Sequence, residues 1–184
     1  MVYYSKLTVT RYAMMRRYDE PEKRIMKPCD PEEFHQILDD LMDDARVREM
    51  KRFTQHGNIS TFDHCRNVAT LSQRLNRRLR LKADEETLLK GAMLHDYFLY
   101  DWHKNYFDSN GWHGFSHASV ATQNAREDFD VDPQVEHIIQ SHMWPLNITR
   151  IPRSREAWIV CFADKVVSGW ETLQLRRKKQ TAAK

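Results

Sequence analysis

Residues 84–96 read "DEETLLKGAMLHD". Asp84 is a good helix N-cap, and Leu88, Ala92 and His95 then recur three to four residues apart, so the stretch predicts a helix. It ends on His95 directly followed by Asp96, where an apolar face would otherwise continue. Two neighbouring polar groups cannot both point into an apolar core. Unless they share a partner, at least one must be solvated or paired. The other histidines of the chain bear on what that partner is.

Working outward, the same punctuation recurs. Asp30–Pro31 is a cap and first-turn pair, after which Phe34, Ile37, Leu38, Leu41, Met42 and Ala45 keep helical spacing to about Arg52. "QHGNIS" at 55–60 reads as a loop, and Ser60 or Thr61 caps a helix carrying His64, Val68, Leu71, Leu75 and Leu79 on one stripe. Residues 97–115, "YFLYDWHKNYFDSNGWHGF", read as an aromatic loop whose length suggests a functional insertion. Ser116 caps a helix from His117 to Phe129, and Asp132–Pro133 opens another through Val135, Ile138, Ile139 and His142. "WPLNITRIPRSR" is a connector, and Ser154 opens a last long helix containing Asp164. Residues 1–29, with "KLTVTRYAMM" at 6–15 as a strand or a helix, stay unassigned. The expected fold is all-α with six or seven helices.

The bulk numbers agree. At 184 residues the chain suits one domain, residues 1–184, in which 1–54 form an N-terminal extension with a long helix and 55–184 a helical core. Apolar residues make up 41 % and charged residues 30 %, as in a soluble globular protein, and five glycines leave room for long helices. No run reaches the ~18 apolar residues of a membrane span, and no secretory signal precedes the first helix. Cys29, Cys65 and Cys161 are odd in number and widely spaced, which points to reduced thiols in a cytoplasmic protein. The net charge is +3, concentrated in "RLNRRLRLK" at 74–82 and "LRRKKQTAAK" at 175–184. That excess can steer a phosphorylated substrate, but its scatter and lack of interleaved aromatics argue against a nucleic-acid groove.

Six side chains fall where a core should be. His64 and His142 continue apolar stripes, and His95 and Asp96 end one. His117 opens a helix, and Asp164 sits in "AWIVCFADKVV", where a lone carboxylate is costly to bury. A bound cation satisfies all of them at once. Imidazole with carboxylate and no thiolate suits Fe, Mn, Zn or Mg. Six ligands exceed one tetrahedral site, and a carboxylate has two oxygens, so His95 can bind one ion while Asp96 bridges to a second. For His35, His56, His103, His113 and His137 a structural role is the default, although His56 sits close before the His64 helix and His103 and His113 have reach to a substrate phosphate. Cys65 and Cys161 read as small core residues.

The order of these residues resembles the HD-domain superfamily of metal-dependent phosphohydrolases. The likeness is carried by "STFDHCRNVA", "GAMLHDYF", "HGFSHASVATQNA", "IIQSHMWP" and "CFADKVVS", from about Gln55 to Asp164 and beyond. It implies an HD-domain helical bundle in which His64, His95, Asp96 and Asp164 hold a first metal. His117 and His142 match the extra pair of the two-metal branches. The chain departs from the cyclic-dinucleotide branch, for the Gly-Tyr-Pro signature is absent and "YFLYDWHK" follows Asp96.

The expected activity is hydrolysis of a phosphate ester or anhydride in a nucleotide or other small phosphorylated metabolite. A hydroxide bridging two metal ions would be the nucleophile, with Asp96 and Asp164 as the catalytic carboxylates. Lys104, Lys165, Arg153 and His113 are the candidate substrate contacts, Lys165 having an equal claim to pair with a neighbouring carboxylate. Tyr97, Tyr100, Trp102, Trp112 and Trp144 can wall the pocket or stack on a base, with core packing as the default. Two rivals stay open: a mixed-valent di-iron oxygenase on the same fold, and a non-catalytic metal-stapled sensor or interaction module. Association into a homo-oligomer is also left open.

Overall fold

Capping side chains and apolar spacing set out seven α-helices and one small hairpin among the residues described by the computed structural model, 36–101 and 113–182. They are α1 (Gln36–Asp43), α2 (Ala45–Glu49), β1 (Thr54–His56), β2 (Ile59–Ser60), α3 (Thr61–Arg78), α4 (Glu85–Leu94), α5 (His113–Phe129), α6 (Pro133–Ser141) and α7 (Arg155–Ala182). All belong to one unit, residues 34–184. The fold is all-α. The expected cap at Asp30–Pro31, the readings of residues 1–29 and most of the aromatic loop lie outside the described residues.

The caps sit where the sequence puts them. Ser60 Oγ accepts from the Asp63 amide at 3.1 Å, Asp84 Oδ1 from Thr87 at 2.8 Å, and Ser154 Oγ from Ala157 at 3.1 Å. Asp132 Oδ1 takes two amides, Gln134 at 2.7 Å and Val135 at 3.0 Å, with Pro133 in the first turn. Each satisfies N–H groups that have no partner inside their own helix.

Three expectations need correction. The helix expected to run to Arg52 is broken at Asp44, whose side chain accepts from the Arg46 amide and restarts the chain as α2, followed by a 3-10 turn at Met50–Arg52. Apolar spacing continues across that break, so spacing alone hid it. Residues 54–60 are an antiparallel hairpin rather than a loop, turning at Gly57 with φ +59°. Gly57 lies so close to the Leu175 side chain that any Cβ there would collide with it. Finally, α5 begins at His113, a turn before the expected start. Gly114 costs a helix only about 1 kcal/mol, too little to act as a stop.

The buried face of α3 also differs from the expected stripe. Leu71 and Leu75 are half-buried and Leu79 is exposed, whereas Ser72, Gln73 and Asn76 are buried. Asn76 is there for the loop it closes: its Nδ2 donates to Ala83 O at 3.1 Å and its Oδ1 accepts from Ala83 N at 3.0 Å. Helix α3 packs chiefly on α4 and α7, and α4 packs also on α6. Gly91 permits the α4–α6 approach, since a Cβ there would meet Ile138 Cδ1 and Cγ2 at 2.7 Å. The core contains Phe62, Val68, Leu88, Leu89, Met93, Leu94, Ile138, Ile139, Val160 and Val167. Cys65 and Cys161 are buried within it as free thiols, as expected.

Candidate metal centre

The ends and middles of five helices meet at one place inside this core. His64 stands in the first turn of α3, and His95 is the C-cap of α4 with Asp96 after it. His117 lies in α5, His142 is the C-cap of α6, and Asp164 lies in α7. All six are buried.

Their polar atoms converge. Asp96 Oδ2 is 3.4 Å from His95 Nε2 and 3.9 Å from His64 Nε2. Asp164 Oδ1 is 3.3 Å from His64 Nε2 and 3.8 Å from His95 Nε2. The other Asp96 oxygen faces a different pair: Oδ1 is 3.4 Å from His117 Nε2 and 3.6 Å from His142 Nε2. Those two imidazole nitrogens are 3.0 Å apart. Asp96 therefore divides its two oxygens between two groups of donors.

The imidazoles are aimed by what they touch behind. His95 Nδ1 bonds Ala92 O at 2.8 Å, His142 Nδ1 bonds Ile139 O at 2.7 Å, and His64 Nδ1 bonds Glu171 Oε2 at 2.9 Å. A carbonyl or carboxylate oxygen can only accept, so each Nδ1 carries the proton, and in the neutral ring Nε2 presents its lone pair to the centre. His64 Nε2, His95 Nε2 and Asp96 Oδ1 have no hydrogen-bond partner although they are fully buried. Unpartnered buried donors and acceptors of this kind each cost about 1–3 kcal/mol. A cation at the centre removes that cost, and the donor set fits one. His64, His95 and Asp164, and again His95, Asp96 and His142, have ligand atoms close enough together to hold an ion.

The electrostatics demand positive charge. Burial disfavours ionised carboxylates, yet His95, His117 and His142 hold Asp96 well below the usual range. Asp164 is likewise lowered against its burial, through His64 and His95. Burial also opposes charge on His64, but Asp164 and Glu171 outweigh it and lift the imidazole to about 10. His95 is raised well above 6.5, with Cys65 and Asp96 overcoming burial. His142 goes the other way, pushed to about 3 by burial and by His95. With no metal ion to neutralise the carboxylates, protons on imidazoles must do it. Proton and metal ion compete for the same nitrogens.

Residues 61–168 match the HD domain family. The chain belongs to the HD-domain family. That superfamily consists mostly of metal-dependent phosphohydrolases. No curated protein and no solved structure matches the chain. Among the described residues, no helix of this HD domain is long and apolar enough to cross a membrane.

The structure brings the six candidate ligands together, and treats the candidate substrate contacts differently. Lys165 Nζ donates to His142 O at 2.7 Å and to Cys161 O at 3.3 Å, and lies 3.7 Å from Asp164 Oδ2. Arg153 is exposed, and its backbone N–H donates to His137 Nε2 at 2.9 Å. Lys104 and the side chain of His113 lie outside the described residues. Of the aromatics, Tyr97 is core, its hydroxyl donating to Asp128 Oδ2 at 2.7 Å, and Trp144 packs edge-on against Trp158. Trp102 and Trp112 lie outside the described residues.

Sequence reasoning missed the residues that hold the ligands in place. Gln55 Nε2 donates to Asp96 Oδ2 at 2.7 Å, and Glu171 backs His64 while its other oxygen accepts from Asn67 Nδ2 at 3.2 Å. One signal was available: Glu171 follows Asp164 by seven residues, two turns of α7, so the two carboxylates share a face. His56, on the hairpin, sets its ring edge-on to His64 at 5.8 Å.

Proposed function

We propose that this HD domain is a metal-dependent phosphohydrolase acting on a phosphate ester or anhydride of a nucleotide or other small phosphorylated metabolite. The observation that carries the reading is the division of Asp96, Oδ2 toward His64 and His95 and Oδ1 toward His117 and His142. A carboxylate buried between two sets of imidazoles suits two cations of the Fe, Mn or Zn type, with Mg also compatible with the carboxylates. His64, His95, Asp164 and Asp96 Oδ2 would hold one; His117, His142 and Asp96 Oδ1 the other. Cations so held supply a water of lowered pKa and neutralise charge developing on phosphoryl oxygens.

The protein's own groups do the rest. Asp164 Oδ1 is engaged by Ser168 Oγ at 3.1 Å and faces the imidazoles, while Oδ2, 3.7 Å from the Lys165 ammonium, would help to orient a nucleophilic water. The Lys165 ammonium, tethered by the His142 carbonyl, adds positive charge beside Asp164 to attract a phosphate. Lys104, Arg153 and His113 remain our candidates for further substrate contacts.

Metal analysis of freshly purified protein, paired with a screen of nucleotides and dinucleoside polyphosphates in the presence of Mn, Co or Fe, tests the reading. Phosphate release that depends on the metal is the expected result. Full metal loading with no hydrolysis anywhere in the screen, or oxygen uptake coupled to turnover, would overturn it.

A further inference from the structure

Three of the candidate ligands are fixed through Nδ1, but not by the same kind of partner. His95 and His142 lean on backbone carbonyls, whereas His64 leans on a carboxylate that is only 2 % exposed. Glu171 lies beyond residue 168, where the family match ends. It is held in turn by Asn67, three residues after His64 on α3, so one turn of that helix presents both groups to it. Asp164 and Glu171, two turns apart on α7, address opposite nitrogens of one ring: Asp164 Oδ1 is 3.3 Å from Nε2, and Glu171 Oε2 is 2.9 Å from Nδ1.

A carboxylate behind an imidazole fixes its tautomer and raises the basicity of the far nitrogen more than a neutral carbonyl does. The geometry around Glu171 protects that effect from solvent. The hairpin turn at Gly57 sits against Leu175, one turn of α7 beyond Glu171, and the half-buried His56 ring lies against His64. At the other position, His142 has the neutral Ile139 carbonyl behind its ring.

We propose that Glu171 is a positioning residue that makes the two cation positions unequal. By orienting His64 and strengthening it as a donor, it causes the position formed by His64, His95, Asp164 and Asp96 Oδ2 to fill first and to hold its ion more tightly. The position formed by His117, His142 and Asp96 Oδ1 fills second. The inference rests on the two-cation reading above and adds an order of loading to it.

The test is a titration of the full chain with Mn2+ and Co2+ against a chromophoric chelator, comparing the native protein with Glu171→Gln. Glutamine keeps the size and an acceptor oxygen for the His64 Nδ1–H and removes the charge. The first binding step is expected to weaken by about tenfold to a hundredfold, with the second step unchanged and the visible spectrum of the first Co2+ altered. Asn67→Ala keeps the carboxylate but loosens its aim, so it is expected to weaken the same step by less, and it carries the test if Glu171→Gln does not fold. Equal weakening of both steps would reduce Glu171 to a general structural role and overturn the proposal. An unchanged first step in either folded variant would overturn it too, leaving the two-cation reading intact. A native protein that takes up neither metal would overturn both.

Discussion

His117 Nε2 and His142 Nε2 face each other across 3.0 Å, both within 3.6 Å of the same oxygen of Asp96. His142 Nδ1 donates to the Ile139 carbonyl, so its Nε2 is an acceptor when the ring is neutral. This pair is the part of the centre that a one-metal site would not need. Removing either ring, by His117→Ala or His142→Ala, is expected to lower metal stoichiometry from two toward one while leaving the first ion bound. Elemental analysis of purified variants measures this directly. Stoichiometry that does not move would refute the two-ion assignment.

The shifted imidazoles predict opposite pH behaviour with and without metal. His64 is lifted to about 10 and His95 well above 6.5, so in the folded, metal-free chain both bind a proton more tightly than in the unfolded chain. Their contribution to stability is complete below about pH 6.5 and is lost as pH rises through the folded values. His142, at about 3, is neutral throughout that window and adds nothing there. Chelator-treated protein should therefore melt at a lower temperature at about pH 9.5 than at about pH 6.5. Metal-loaded protein should not, because the ion replaces the protons, and loading at neutral pH should release protons. Melting curves with the same pH slope in both states would count against the ligand set.

How much of this was legible beforehand depended on whether a residue announces itself locally. Ser60, Asp84, Asp132–Pro133 and Ser154 did, because a cap acts on amides within three residues of itself. His64, His95, Asp96, His117, His142 and Asp164 did as well, because polar groups on apolar faces must converge on something. The break at Asp44 did not, since the apolar spacing runs through it. The buried Asn76 did not, its partner being seven residues away, and Glu171 showed only that it shares a face with Asp164, not that it meets a ring more than a hundred residues away. A polar residue in a helix carries no local sign of whether it meets solvent or a distant ring.

Gly91 gives a packing test that bears on the centre. Alanine improves helix propensity by about 1 kcal/mol, but its Cβ would sit 2.7 Å from two carbons of Ile138, which is fully buried and stiff at χ1. Overpacking of this kind costs about 1–3 kcal/mol, so Gly91→Ala is expected to lower stability despite the better propensity. Because α4 ends at His95 and α6 at His142, separating the two helices should also weaken metal binding. Combining Gly91→Ala with Ile138→Ala is expected to cost less than the sum of the two changes. Denaturant unfolding of the single and double variants measures that coupling, and strict additivity would show that the contact is not the cause.

Asn76 separates stability from the metal centre. Its side chain makes two hydrogen bonds to Ala83, closing the loop between α3 and α4, and Asp84 N in that loop donates to Glu156 Oε1 at 2.8 Å on α7. The chain reaches this geometry through Arg80 and Lys82, both at positive φ, 51° and 56°, so the loop is strained and depends on the staple. Asn76→Leu leaves the Ala83 amide and carbonyl without partners in a buried place, a loss of about 2–6 kcal/mol. Unfolding by urea should record that loss. Metal stoichiometry should stay at the native value, since no ligand is attached to this loop more closely than the start of α4, a full helix away from His95. A variant that folds but binds fewer ions would mean that the register of α4 is set by this loop rather than by its packing on α3 and α6.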